Sequence, residues 1–452
     1  MKKGRAAACI ASAVIAAVIC IGMAGCSGCH GRDSSGSMPE ETGTDLDSLA
    51  ANAAGDIAAA VYTDADSAMA NASKLTKKTI SSSGAYYLDD DSLAGKKISV
   101  EADGVTLYLI NATLTNDGKC IESEKFGLTI TLIGSSTIMG TGDAKNAVDI
   151  EKGLVINGPG SVEITSTKNG IKAGSIKIRD ASVDISADQD GLHAEIDYDD
   201  NDTAPSFSYN EGGFVYIQDA AVSVTSSDDG IQADTFVYIA GDSDIDVTTN
   251  GGAPSSLSQI TDSSSDNVSG KGIKAGLLDW GENDTDLEVT DDSNGDYLIY
   301  ITGGDIDINS NDDAVHSNGQ IIMTAGTLHA TTGDDGMHAD KLMKISGGDI
   351  DIERCYEGIE SAKVEISGGN ISVMSSDDGI NGADGTSNRP GSANSGCHII
   401  ISGGNVYVDA GGDGVDSNGT MLISGGSMYI SGSASGDNAA LDADGSIWVN
   451  GG

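Results

Sequence analysis

The sequence Ser-Asp-Asp-Gly-Ile occurs at 227–231 and again at 376–380, and close variants recur along the chain. They include Asp190-Gly191-Leu192-His193, Asp312-Asp313-Ala314-Val315-His316, Asp334-Asp335-Gly336-Met337-His338, Glu357-Gly358-Ile359-Glu360 and Asp413-Gly414-Val415-Asp416. The small residue of each copy serves as a mark, and the marks are Cys120, Ala147, Gly170, Gly191, Gly230, Gly272, Ala314, Gly336, Gly358, Gly379, Gly414 and Ala440. The tightest steps, from 170 to 191, 314 to 336, 336 to 358 and 358 to 379, are 21 or 22 residues. Each copy continues into a second short stretch such as Met343-Lys344-Ile345, then Ser-Gly-Gly, then a third such as Asp349-Ile350-Asp351-Ile352. Three short strands joined by tight polar turns cannot bury an apolar face alone, so successive copies must stack. The chain is therefore expected to be all-β, folded as a right-handed parallel β-helix, a solenoid of about 21–22 residues per coil with neighbouring coils ~4.8 Å apart. A propeller would need a period near ~40 residues and a calcium-loaded nonapeptide roll one near ~9. A sandwich would need hairpin signals that do not occur here.

Composition agrees with this. The chain has 62 Gly, 5 Pro and 4% aromatic residues, which suits turns and short strands better than long helices. Its formal charge is −45, with 69 Asp and Glu against 24 Lys and Arg, which argues against nucleic acid or an anionic membrane surface as a direct partner and for cations. Cys120, Cys355 and Cys397 are too far apart for a disulfide framework or zinc spacing and read as small packing residues.

Residues 1–25 have a basic start (Lys2, Lys3, Arg5), an apolar centre and a small-residue run before Cys26, the pattern of a secretory signal. The Ala-Gly-Cys ending resembles the bacterial lipoprotein signal, in which the cysteine is lipidated, so Cys26 is expected to carry a membrane anchor; an incidental Cys26 after a plain signal is the alternative. Residues 26–78 read as a flexible Ser-, Gly- and acid-rich tether with a short helix over 50–60. From 79 to 452 the two-residue alternation is that of the solenoid. The last copy ends at Ile447-Trp448-Val449-Asn450-Gly451-Gly452 without its third strand, so further chain or a separate cap is expected to cover that coil.

Counting from the mark, the next residue is apolar and should face inward, and the one after it should face outward. The outward positions form a column through Glu122, Asp149, Lys172, His193, Gln232, Lys274, His316, His338, Glu360, Asn381, Asp416 and Asp442. Immediately before the marks lies a column of turn acids, among them Asp190, Asp228, Asp229, Asp312, Asp313, Asp334, Asp335, Asp377 and Asp378. At ~4.8 Å such carboxylates repel by ~3–4 kcal/mol at an effective dielectric near 20, so the ladder needs counterions. Ca2+ suits it, since it accepts carboxylate, carbonyl and water oxygens in loose geometry; solvated turn acids chosen for turn geometry are the alternative. His193, His316 and His338 read as structural partners of neighbouring Asp rather than zinc ligands, because no i,i+4 pair or Cys accompanies them. A third column on the second strand contains Tyr216, Tyr238 and Tyr300 on consecutive coils, either a strip for stacking sugar rings or a ladder that reinforces strand pairing. Insertions at 196–213, 249–269, 277–296 and 384–396 flank the first column and suggest a loop-walled groove holding Lys172, His193, Lys274, His316 and His338.

From residue 79 onward the chain resembles the carbohydrate-binding β-helix family of bacterial surface proteins, whose fold is like that of polysaccharide lyases. The resemblance rests on Ser83-Gly84-Ala85-Tyr86-Tyr87-Leu88, Val105-Thr106-Leu107-Tyr108-Leu109, Leu128-Thr129-Ile130-Thr131-Leu132 and the repeated Asp-Gly-Ile and Ile-Ser-Gly-Gly units. It implies calcium-dependent, non-catalytic binding of plant cell-wall glycans, pectin-like polyuronate or cellulosic, by a monomer at the bacterial cell surface. Two other functions fit the residues. One is a calcium-dependent polyuronate lyase with Lys274 or Lys172 as base; the other is a structural adhesin or spacer stiffened by calcium.

Overall fold

The computed structural model describes residues 57, 59–142, 145–196, 212–261, 270–276, 297–385, 393–434, 436 and 438–452. These belong to one compact unit, Leu46–Gly452; the other unit, Met1–Asp45, lies wholly outside the described residues. The expected lipidation site Cys26, most of the expected helix over 50–60 and most of the four insertions also lie outside them.

The described residues form the expected parallel β-helix, and every strand pairing is parallel between successive coils. The motif strands Leu192–Ala194, Ile231–Ala233, Ile273–Ala275, Val315–Ser317, Met337–Ala339, Ile359–Ser361, Ile380–Gly382 and Val415–Ser417 stack as the first sheet. The second sheet contains Phe236–Ala240, Leu342–Ile345, Lys363–Ile366 and His398–Ile401, and the third Asp349–Cys355, Asn370–Ser375, Asn405–Ala410 and Ser427–Ser431. The core is the stack of inward residues. Leu192, Ile231, Ile273, Val315, Met337, Ile359, Ile380 and Val415 are all fully buried, each contributing ~1.5–3 kcal/mol relative to exposure. Cys120, Cys355 and Cys397 are buried free thiols, as expected of packing residues.

Two local features explain the repeat. The Ser-Gly-Gly turn needs a left-handed backbone at its second glycine, where Gly348 has φ 96°. The mark must be small because the third strand of its own coil packs against it. A Cβ on Gly336 would stand 2.5 Å from the Gly358 carbonyl oxygen and 2.6 Å from Ile352 Cδ1. The preceding coil carries Ala314 at the mark, and there the position in register with Ile352 is Ala330.

Within the stretch read as tether, the helix Ala65–Asn71 is capped by Asp64, whose Oδ1 accepts from Ser67 N at 2.8 Å. Its Ala68 is buried against Tyr108, Ile110 and Ile133, and Ile57 packs farther along the same outer face. Among the described residues no helix is long and apolar enough to cross a membrane.

Candidate functional site

The register places the outward column as the spacing requires: Lys172 opposite His193, then Gln232, Lys274, His316, His338, Glu360, Asn381 and Asp416. The turn acids form a hydrogen-bonded ladder beside it. Asp190 Oδ1 accepts from Asp229 N at 3.0 Å, and Asp229 Oδ1 from Lys271 N at 2.8 Å. Asp313 Oδ1 accepts from Asp335 N and Asp335 Oδ1 from Glu357 N, both at 3.1 Å, and Asp378 Oδ1 from Asp413 N at 2.6 Å. In the earlier coils Asn146 and Asn169 do the same, accepting from Asn169 N at 3.3 Å and Asp190 N at 3.2 Å. The ladder therefore requires an acceptor oxygen, not a charge.

The second carboxylate oxygen decides the electrostatics. Three residues after the ladder acid stands its partner on the outward column: His193 Nδ1 lies 2.6 Å from Asp190 Oδ2, His316 Nδ1 2.7 Å from Asp313 Oδ2, and His338 Nδ1 3.2 Å from Asp335 Oδ2. Asp229 pairs with Lys274 of the next coil at 3.0 Å, with both side chains buried. Burial alone would lower the His193 pKa, but Asp190 and Glu195 raise it to about 10. Burial would likewise raise Asp313, yet Lys271 and His316 hold it well below the usual range. Asp312 pairs with Lys271 and Asp377 accepts from Tyr356 Oη at 2.7 Å, while Asp228 and Asp334 flank the ladder beside Asp229 and Asp313. Lys271, Lys274 and His193 thus supply counterions to part of the acid column, whereas burial lowers the His316 pKa, so that ring serves Asp313 as a hydrogen-bond donor.

The pattern changes at three successive copies, where Glu357 is followed by Glu360, Asp378 by Asn381 and Asp413 by Asp416. Burial first, then neighbouring acids, pushes Glu357 well up, Glu360 to about 8, Asp378 to about 7 and Asp416 to about 6. Between Glu360 and Asp416 in register stands Asn381, 8% exposed; its Nδ2 donates to Glu357 Oε2 at 2.8 Å and its Oδ1 is buried without a hydrogen-bond partner. Among the described residues no Lys, Arg or His pairs with Asp378, Asp413 or Asp416. These residues offer oxygen donors of the kind Ca2+ takes, including the unpartnered Asn381 carbonyl, whereas Asp190, Asp229, Asp313 and Asp335 are engaged through both oxygens.

Three expectations need correction. Tyr216, Tyr238 and Tyr300 do stack on consecutive coils, with centroids 4.9 and 5.4 Å apart, but they are only 1%, 9% and 7% exposed, packed with Ile57, Phe236, Leu298 and Ile322. They reinforce the sheet and offer no open sugar platform, because a segment from far upstream covers them. Lys274 and His193 are also buried and ion-paired rather than open to a groove. Lys172, a third exposed, pairs with Glu195; burial alone would lower its pKa, but Glu195 raises it, the wrong direction for a general base.

Two tyrosines that the sequence reading passed over are exposed. Tyr407 and Tyr429 lie in register on the third sheet, 44% and 65% exposed, with rings stacked 5.2 Å apart and 4° from parallel. Their column continues through Ser372 and Asp351, and Asn405 Nδ2 donates to Asn370 Oδ1 beside it at 2.8 Å. The matching Asn-Val-Tyr-Val and Ser-Met-Tyr-Ile copies were the available signal. At the other end, Ser99, Glu101, Glu122, Glu124, Lys125 and Phe126 line a cleft of about 430 Å3.

A coil stack with a polar ladder, an uncompensated acid cluster and an exposed aromatic pair defines a β-solenoid binding protein. The chain matches a family model described as carbohydrate-binding domain-containing protein over residues 127–336 and 299–445, and it belongs to that family. No curated protein and no solved structure matches it.

Proposed function

We propose that this chain binds polysaccharide without cleaving it, contacting sugar rings through Tyr407 and Tyr429. The observation that carries this is the exposed pair of parallel, stacked tyrosine rings inside the span matched by the carbohydrate-binding family. Pyranose rings stack on such faces by dispersion and C–H contacts, and the adjoining Asn370 and Asn405 amides offer hydroxyl partners. Ca2+ is the cation of the cluster around Asn381, with Glu357, Glu360, Asp378 and Asp416 as its candidate ligands; bound there, it supplies the charge neutralisation that a polyuronate would need to approach a chain of net charge −45. Neutral cellulosic and acidic pectin-like glycans are the two substrate classes. Residues 1–25 act as a lipoprotein signal and Cys26 carries the lipid that holds the protein at the cell surface.

The test is retention of the full chain on cellulose and on polygalacturonate, with calcium and with chelator, alongside absorbance from unsaturated uronate products. The proposal expects retention without product. Sustained product formation would establish the lyase instead, and no retention on any glycan would leave the spacer role.

A further inference from the structure

We propose a second metal site, for a transition ion of the Zn2+ or Cu2+ class, held by His316, His338 and Asp340. The two histidines lie directly opposite on neighbouring parallel strands, with ring centroids 5.0 Å apart. Each has its Nδ1 held by the ladder acid of its own coil, Asp313 at 2.7 Å and Asp335 at 3.2 Å. A carboxylate on Nδ1 fixes the ring and leaves Nε2 as the ligand atom, the arrangement by which proteins orient metal-binding histidines.

What faces the outer nitrogen of His338 adds a third donor. His338 Nε2 lies 3.7 Å from Asp340 Oδ1, too long for a hydrogen bond. An ion with bonds of ~2.0–2.2 Å to each atom spans such a gap. Among the described residues His316 Nε2 meets no hydrogen-bond partner. Asp340 is itself fixed: its backbone N donates to the Ser317 carbonyl at 3.1 Å, and its Oδ2 accepts from Asn318 Nδ2 at 3.3 Å. Two imidazoles and a carboxylate favour a borderline ion over Ca2+, which takes oxygen. This site is distinct in donor chemistry from the all-oxygen cluster around Asn381 and does not depend on the glycan reading.

The experiment is calorimetric titration of the full chain with Zn2+ in excess Ca2+, which occupies the oxygen clusters, and electron paramagnetic resonance of the Cu2+ adduct. One Zn2+ per chain and a spectrum with two nitrogen donors are expected. His316→Gln should abolish that binding, and Asp340→Asn, at an exposed position that folding does not need, should weaken it about 10–100-fold. Zn2+ binding unchanged in both variants, an oxygen-only copper spectrum, or no Zn2+ uptake in the presence of Ca2+ would overturn the proposal.

Discussion

Replacing Lys274 by Met tests whether the acid ladder is neutralised from within. Lys274 and Asp229 are 4% and 1% exposed and 3.0 Å apart. At that separation and an effective dielectric near 20 the attraction is ~5.5 kcal/mol before desolvation is subtracted. Removing one member of a buried pair costs ~3–5 kcal/mol because the other charge is left unpaired. Lys271, whose charge also lowers the Asp229 pKa, remains in the variant, so about 3 kcal/mol is expected. The double variant Lys274→Met/Asp229→Asn should recover most of the loss, because an asparagine oxygen serves the same ladder position at Asn146 and Asn169. Urea unfolding followed by circular dichroism reads the difference. In the single variant the loss should grow with pH, as Asp229 is forced to ionise without its partner. A loss under about 1 kcal/mol, the range of exposed ion pairs, or a double variant no better than the single, would refute the reasoning.

Three further outcomes follow from the same structure. Glu360, Asp378 and Asp416 have folded pKa values raised to about 8, 7 and 6, so the folded chain binds more protons than the unfolded one; metal-free stability should be greatest near pH 4 and fall as pH rises through 6 to 8, and Ca2+ should reverse the fall in thermal melts. Gly336→Ala should destabilise the chain by ~1–3 kcal/mol through overpacking, and Ile352→Ala in the same chain should relieve the Ile352 part of the clash but not the contact with the Gly358 carbonyl oxygen, so that a double-variant cycle in urea shows a favourable coupling. Tyr407→Ala should weaken glycan retention about 2- to 13-fold with little change in melting, as expected for a ring contact of ~0.5–1.5 kcal/mol, whereas Tyr238→Ala should cost ~3–5 kcal/mol of stability and reach retention only through unfolding.

The coil register was legible because parallel stacking puts identical motif positions opposite one another. Counting from the marks was enough to place His316 against His338 and Tyr216 against Tyr238. Exposure was not legible, because it depends on what lies outside the coil. Ile57 packs on the tyrosines, and its carbonyl accepts from Arg179 Nη1 across 122 residues of sequence. The demand for counterions was read from the number of acids, whereas in the structure it turns on the residue three positions on. Asp190, Asp313 and Asp335 are answered by histidine, and Glu357 and Asp413 by another acid. That contrast is written in the sequence, but its meaning needs the knowledge that the two side chains meet.

The central claim is that the exposed tyrosine pair of a carbohydrate-binding solenoid holds a glycan that the protein does not cut. Titration calorimetry of the full chain with cello- and galacturono-oligosaccharides, followed by chromatography of the recovered sugar, addresses it directly. The account predicts saturable binding that Tyr407→Ala/Tyr429→Ala removes and Lys172→Ala does not, with uronate binding lost in chelator and every oligosaccharide recovered intact. Binding untouched by the tyrosine pair, or shortened sugar in the recovered fraction, would contradict it.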